Sequence, residues 1–235
     1  MDCEMAGTKG SRSEVVAICA IDFLTGEVLV NSLVKPQQRI VNWRSDITGV
    51  SPEGMLLAVA QNKALKGWRA ARDELRRFVD EDTVMVGQSL QHDLKMLRVI
   101  HTKIVDSAIL TAEAVFGKKR PIRRMWGLDT LCQELLGLHI RGGSPSGELS
   151  HDGLEDALAA RELVIKCLRH PDILKTWANR SRKEFWCTRS KGKKVYRTPL
   201  VEKSEGDDDR SASEVLRWED VVDYDVWPKS PPDSD

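Results

Sequence analysis

The chain of 235 residues lacks net charge, paired cysteines and long apolar runs, and each absence removes a class of function. Lys plus Arg and Asp plus Glu each number 36, so no global field draws in a polyanion. Any contact with nucleic acid must come from local patches or from bound cations. The five cysteines, Cys3, Cys19, Cys132, Cys167 and Cys187, contain no C-x-x-C pair. Their scatter argues against a zinc ribbon and supplies no disulfide framework, which predicts a reducing, intracellular setting. No apolar run is long enough to span a bilayer and the N-terminus carries no signal-peptide pattern, so no membrane partner is expected. No internal repeat stands out. What remains is an ordinary globular composition, in a length that suits one full domain with an appendage.

Up to about Pro171 the chain alternates strand and helix patterns. Val15–Ile21 is a continuous, β-branched-rich run that meets Asp22 and a turn at Thr25-Gly26, and Val28–Val34 follows, so the pair predicts a hairpin. Residues 35–52 read as a looser stretch, with Ser51 placed to cap a short helix. Apolar residues at Leu65, Trp68, Leu75, Phe78 and Val79 predict an amphipathic helix. Thr83–Gly87 predicts a buried strand, followed by a helix from about His92 to Ile100. Lys103–Asp106 reads as a short strand, and helices follow over Ala108–Val115, Leu128–Leu136 and Leu154–Cys167. Strand–helix alternation after an antiparallel opening indicates an α/β layered domain with a mixed sheet.

Within that frame, acidic residues stand where ligands bind. Asp2 and Glu4 are two apart, so an extended strand turns both carboxylates to one face. Two adjacent anions repel unless a cation lies between them, and oxygen clusters suit hard divalent ions; a solvated strand edge is the alternative. Asp93 opens a helix just after the strand ending at Gly87, where open α/β sheets place their ligands. Its alternative is helix capping or a partnership with the helix dipole. In Ser150–Ala157, Asp152 with Glu155 three residues on has the form of a capping box. That assigns Asp152 and Glu155 to the helix start, leaving His151 on the lip outside it and Asp156 in its first turns. Four carboxylates and one histidine suit phosphodiester hydrolysis by two divalent ions about 4 Å apart. A histidine titrating near neutrality can take the proton of the attacking water.

The order Asp-x-Glu, Asp, His-x4-Asp resembles the DEDDh group of 3′-to-5′ exonucleases. The surrounding words Met1–Met5, Ile47–Ser51, Val86–Asp93 and His151–Ala157 are similar to its RNA exonuclease branch, which includes fungal ribosomal-RNA-processing exonucleases and a small interferon-induced exonuclease. The resemblance spans residues 1–168. It implies an RNase H-like fold, α/β with a mixed five-stranded sheet flanked by helices, and two magnesium or manganese ions. It also implies single-stranded RNA as partner, release of nucleoside 5′-monophosphates from a 3′ end, and a nuclear or nucleolar role in RNA processing. By the same resemblance Asp2, Glu4 and Asp156 hold one metal, Asp2 bridges to a second supported by Asp93, and His151 is the general base. Met5 packs against the terminal base, with a core methionine as its alternative.

Two departures from the family pattern bear on this. Apolar residues normally precede Asp-x-Glu, so the first strand is expected to be truncated, with a free α-amino cation near the metals. Gln88 stands where many relatives have His. Cys3 is expected to face away from the acids. The basic loop Lys118–Arg124, followed by Trp126, and the helix face of Arg69, Arg72 and Arg76 could follow phosphates or be solvated surface. Residues 1–170 thus read as an exonuclease domain and 171–235 as a charged, flexible extension, basic then acidic, interrupted by Trp218, Tyr224 and Trp227. A DNA exonuclease and a catalytically impaired nucleic-acid-binding module are the rival readings.

Overall fold

The computed structural model describes residues 1–10, 12–140 and 152–193. Contacts divide the chain into a unit spanning Met1–Arg182 and a second spanning Lys183–Asp235. In the first, β1 (Asp2–Thr8) pairs antiparallel with β2 (Ser13–Ile21), and β2 with β3 (Val28–Leu33). The hairpin predicted around Thr25-Gly26 closes on Asp22, whose Oδ1 accepts the N–H groups of Leu24 and Thr25 at 3.0 and 2.7 Å and the Thr25 hydroxyl at 2.9 Å. This is the local competition by which a short acid nucleates a turn.

The stretch 35–52, expected to be loose, contains β4 (Ile40–Asn42) and α1 (Ser45–Thr48). Both are too short to leave a periodic signal. β4 pairs with the far end of β1, giving the order β3-β2-β1-β4. Then come α2 (Pro52–Ala60), α3 (Gly67–Leu75), β5 (Met85–Gly87), α4 (Gln91–Leu97), β6 (Ile104–Asp106) and α5 (Ser107–Phe116). Ser51 caps α2 as expected, its Oγ accepting the Gly54 N–H at 3.0 Å. α6 (Leu128–Leu131) runs into a π-helical turn at Cys132–Leu136, and α7 (Gly153–Arg169) and α8 (Pro171–Lys193) follow.

Helices flank the sheets in a mixed α/β arrangement. The strands form hydrogen-bonded ladders of four and two, with β5 and β6 parallel, rather than one ladder of five. β1 comes up to β5 at Met1. There the Met1 ammonium donates to the Val86 carbonyl at 2.6 Å. Burial pulls that ammonium's pKa down, while Asp2 and Asp93 oppose the shift, so the α-amino group does stand near the acids.

β1 carries two cores on its two faces. Met1 and Cys3, with Met5 packed beside them, join Ile18, Leu90, Leu94 and Leu97. Ala6 joins Val16, Val50 and Met55 on the other face. This alternation is the two-residue period of the strand.

Where the sequence suggests an extension from Pro171, α8 begins. Trp177 and Ala178 are buried, the Trp177 ring meets Trp126 edge-on at 5.2 Å, and its Nε1 donates to Glu134 Oε2 at 2.6 Å. Arg182 donates to the carbonyls of Val115 and Ala114. A high density of basic residues conceals the helical spacing of Trp177 and the buried Ser181. Residues 194–235, including Trp218, Tyr224 and Trp227, lie outside the described residues. No helix among those described is long and apolar enough to cross a membrane.

Gly87 shows how tightly β5 is met by β1. A Cβ there would lie 2.6 Å from the Met1 carbonyl oxygen and 2.6 Å from Leu90 Cδ2. Gly87→Ala is therefore expected to cost about 1–3 kcal/mol, the usual penalty for overpacking. Urea unfolding measures it, and a neutral or stabilising result would contradict this close approach.

Candidate active site

The site begins with the pleat of β1. Asp2 and Glu4 project from the same face, as their spacing predicts, and Cys3 points into the opposite core among Ile18, Leu90 and Leu94. The pairing of β1 with β2 shifts register between Glu4 and Met5, where Glu4 opposes Ala17 but Met5 opposes Val15. Val16 is the extra residue. Such bulges sharpen local twist and re-aim side chains next to functional sites.

α7 supplies the third acid. Its N-cap is Asp152, whose carboxylate accepts the Leu154 N–H at 2.9 Å while the Asp156 N–H bonds to the Asp152 carbonyl at 2.8 Å. Capping by Asp152 was expected; the cap bond goes to the residue two positions on. The first turn of α7 comes close to β1, so that a Cβ on Gly153 would stand 3.6 Å from Asp2 Oδ2. Carboxylate oxygens of Asp2, Glu4 and Asp156 all lie within 4.8 Å of one another, with Glu4 and Asp156 buried. Three convergent carboxylates, two of them withdrawn from water, fit a hard divalent cation by the chemistry of the donor set.

Asp93 sits in the first turn of α4, where Leu90 and not Asp93 occupies the N-cap position. It is 4% exposed. Burial pushes its carboxyl from 3.8 up to about 8, and the neighbouring Asp2 charge adds to the rise. The Met1 ammonium and the Cys3 backbone N–H act in the opposite direction. Asp93 thus borders the three-acid cluster on the Asp2 side.

What delivers Asp93 there is a residue the sequence did not single out. Asp106, at the end of β6, caps α5 through Ala108 N–H at 2.9 Å. It also accepts the N–H groups of Ser89 and Leu90 at 3.0 and 2.8 Å, pinning the loop that leads into α4. Ser89 in that loop adopts φ 55, a left-handed conformation costly for a residue with a Cβ. Gln88 is tied in as well: its Nε2 donates to the Trp126 carbonyl at 3.0 Å and its Oε1 accepts the Ser107 hydroxyl.

A cavity of about 320 Å³ opens beside the acids, lined by Asp2, Glu4, Thr48, Gly49, Val50 and Gly153 among others. Thr48 Oγ1 donates to the Trp43 carbonyl at 3.1 Å and accepts the Val50 N–H at 3.2 Å, and Gly49 at φ 66 ends α1. The words Ile47–Ser51 carried this wall in the sequence, although its function as a wall needed the fold. Met5 is half-buried against the core on the other face and lines a separate groove. His151 lies outside the described residues. Trp126 is packed between Phe116 and Trp177, so the aromatic after the basic loop belongs to the core.

A family model described as Exonuclease, of the RNase_T type, matches residues 1–164. Small RNA degrading nuclease 2 of Arabidopsis thaliana is 34% identical over 170 residues, covering 72% of this chain and 34% of its own length. RNA exonuclease 3 of Candida albicans is 30% identical over 165 residues, covering 70% and 36%. The chain therefore spans about a third of the length of these relatives. Among solved structures, the Saccharomyces cerevisiae Pan2 pseudoubiquitin hydrolase–RNA exonuclease module superposes with a TM-score of 0.62 at 23% identity, over 80% of this chain and 31% of that one. The same module in complex with AAGGA RNA gives 0.63 at 22% identity, over 80% of this chain and 32% of that one.

The raised pKa of Asp93 predicts a pH signature in the absence of divalent ions. The folded state keeps a proton that the unfolded chain releases, so this group's contribution falls as pH rises from about 3.8 to about 8 and is then constant. Asp93→Asn should consequently raise Tm relative to the parent at pH 8, with the gain shrinking toward pH 4. Thermal melts in EDTA measure it; a gain that grows on acidification would contradict the assignment.

Proposed function

The chain belongs to the exonuclease family, and on that premise we propose that it is a metal-dependent 3′-to-5′ exoribonuclease acting on single-stranded RNA ends. The observation that carries this reading is the convergence of Asp2, Glu4 and Asp156 within 4.8 Å beside an open cavity, with Asp93 alongside. Relatives named as RNA exonucleases and small RNA degrading nucleases support RNA as the substrate. The resemblance to fungal processing enzymes motivates a role in RNA maturation in the nucleus.

Asp2, Glu4 and Asp156 would hold one magnesium or manganese ion, and Asp2 with Asp93 a second. When bound, such ions neutralise charge on the scissile phosphate and acidify water. The chain's own residues do the rest. His151 takes the proton of the water whose oxygen attacks phosphorus; the P–O3′ bond breaks, a nucleoside 5′-monophosphate is released, and the leaving O3′ takes a proton from solvent to become the 3′-hydroxyl of the shortened strand. Thr48, Gly49 and Val50 line one side of the cavity, where they would bound the space open to the terminal nucleotide.

Incubation of 5′-end-labelled RNA with magnesium should give a ladder shortening from the 3′ end, abolished by EDTA; internal fragments or shortening from the 5′ end would overturn the polarity. Matched DNA oligomers report the sugar preference. His151→Ala should lower kcat by about 10²–10⁴-fold with little change in substrate affinity, and equal losses in both would remove its role as base. Manganese should raise Tm of the parent protein at pH 7.5, since a ligand of the folded state stabilises it. Asp156→Asn should abolish most of that rise, and an undiminished rise would place the ion elsewhere.

A further inference from the structure

The match to the family model ends at residue 164 and α8 starts only at Pro171, yet residues 171–182 of α8 hold one loop of the domain at both its ends. That loop, residues 117–127, runs from the end of α5 to the start of α6. At its beginning, Arg182 donates to the Val115 carbonyl and, at 3.1 Å, to that of Ala114. These are among the last carbonyls of α5, which a helix end leaves without intrahelical partners. At its end, the Trp177 ring meets the buried Trp126 edge-on at 5.2 Å. Glu134 fixes the angle of that ring, accepting Trp177 Nε1–H at 2.6 Å and an Arg180 N–H at 2.9 Å.

What the loop end presents is a backbone carbonyl. The Trp126 oxygen accepts from Gln88 Nε2 at 3.0 Å, and Gln88 Oε1 accepts the hydroxyl of Ser107, the first residue of α5. An amide bonded through both its oxygen and its nitrogen cannot turn without losing both bonds. Gln88 is therefore held between two parts, the start of α5 and the end of the loop, that α8 secures. The next residue is Ser89 at φ 55, and the N–H groups of Ser89 and Leu90 donate to Asp106 at 3.0 and 2.8 Å. A left-handed residue with a Cβ persists only where its surroundings over-determine it. Relaxation of Ser89 would re-aim the chain entering α4, whose first turn carries Asp93.

We infer that α8 reaches the active site through this relay: Trp177 and Gln88 are positioning residues that hold the start of α4, and with it Asp93, where the reaction needs it. The inference rests on the exonuclease reading. It gives a helix past the family-matched residues a part in turnover.

The test uses the full chain with Gln88→Leu, which keeps the bulk of the side chain without donor or acceptor. An ångström of misplacement can cost about a hundredfold in rate, so kcat on RNA with magnesium should fall about tenfold or more, with KM within about twofold. Gln88→His at about pH 8, where a neutral imidazole offers one donor and one acceptor, should keep kcat within about threefold. Trp177→Phe should lower kcat in the parent yet add nothing in the Gln88→Leu background, because both act through one link. Amide exchange by NMR in EDTA reads the relay without catalysis. In Gln88→Leu the Ser89 and Leu90 N–H groups should quicken by about tenfold more than that of Ala160, in the middle of α7. A lowered Tm with kcat unchanged, multiplying losses in the double variant, no rescue by His, or an equal rise in exchange at all three amides would overturn the inference. Should Trp177→Phe lose its cooperative melt, the two Gln88 variants and the exchange rates decide. If the parent protein hydrolyses no RNA while exchange responds as stated, the hydrolytic reading fails and the relay stands.

Discussion

Withdrawing several carboxylates from water at one place is the constraint on which this structure depends. Glu4, Asp93 and Asp156 are each among the buried charged residues, and Asp2 stands among them. Each buried ion costs several kcal/mol even after relaxation, and like charges add to that. The fold answers part of the cost by keeping a proton on Asp93, whose carboxyl is raised to about 8. Such an arrangement contributes nothing to stability by itself. It makes physical sense as a receptor for positive charge, and the surrounding framework has to hold it in place against its own repulsion.

That framework is built from hydrogen bonds at some distance from the acids. Asp106 grips two N–H groups of the loop before α4 while capping α5, so one carboxylate sets the position of Asp93 from the neighbouring strand. The close approach of Met1 to Gly87 leaves no room beside β5 for β1 to shift. On α7, Asp152 fixes the first turn, and Arg161 further along donates to the carbonyls of Phe23 and Leu24 at 2.6 and 2.9 Å. Those contacts tie the helix to the β2–β3 turn, so Asp156 is located by anchors on both sides of it. A strained Ser89 backbone persists because Asp106 over-determines it.

Much of this was legible in the sequence because it is local. The two-residue period of β1 gave the common face of Asp2 and Glu4, and the caps at Ser51 and Asp152 were readable from residue type and position. The less legible parts have specific physical reasons. β4 and α1 are too short to show a period, and the π-helical turn at Cys132–Leu136 breaks the spacing by which a helix is recognised. α8 was hidden by its lysines and arginines, whose charge suggests disorder while Trp177 and Ser181 supply a buried stripe. Asp106 reads as an ordinary strand-end acid until its partners, 16 and 17 residues away, are seen. The groove lined by Met5, Arg12, Trp68, Lys95 and Arg98 is assembled from five separate segments, and no window of the sequence contains it.

A net charge of zero gives this chain no global attraction for a polyanion, and the fold separates its charges in space. Acids gather on one face of β1, while Arg12, Lys95 and Arg98 gather on the other with the guanidiniums around Trp68. Fields of opposite sign a few residues apart screen each other at long range but act at full strength on a ligand in contact. α4 shows the logic within one helix: Asp93 in its first turn faces the acids, and Lys95 and Arg98 toward its end face the groove. Shifting this helix by a single residue would scramble both faces together. The contacts of Asp106 that start it in register therefore matter to each.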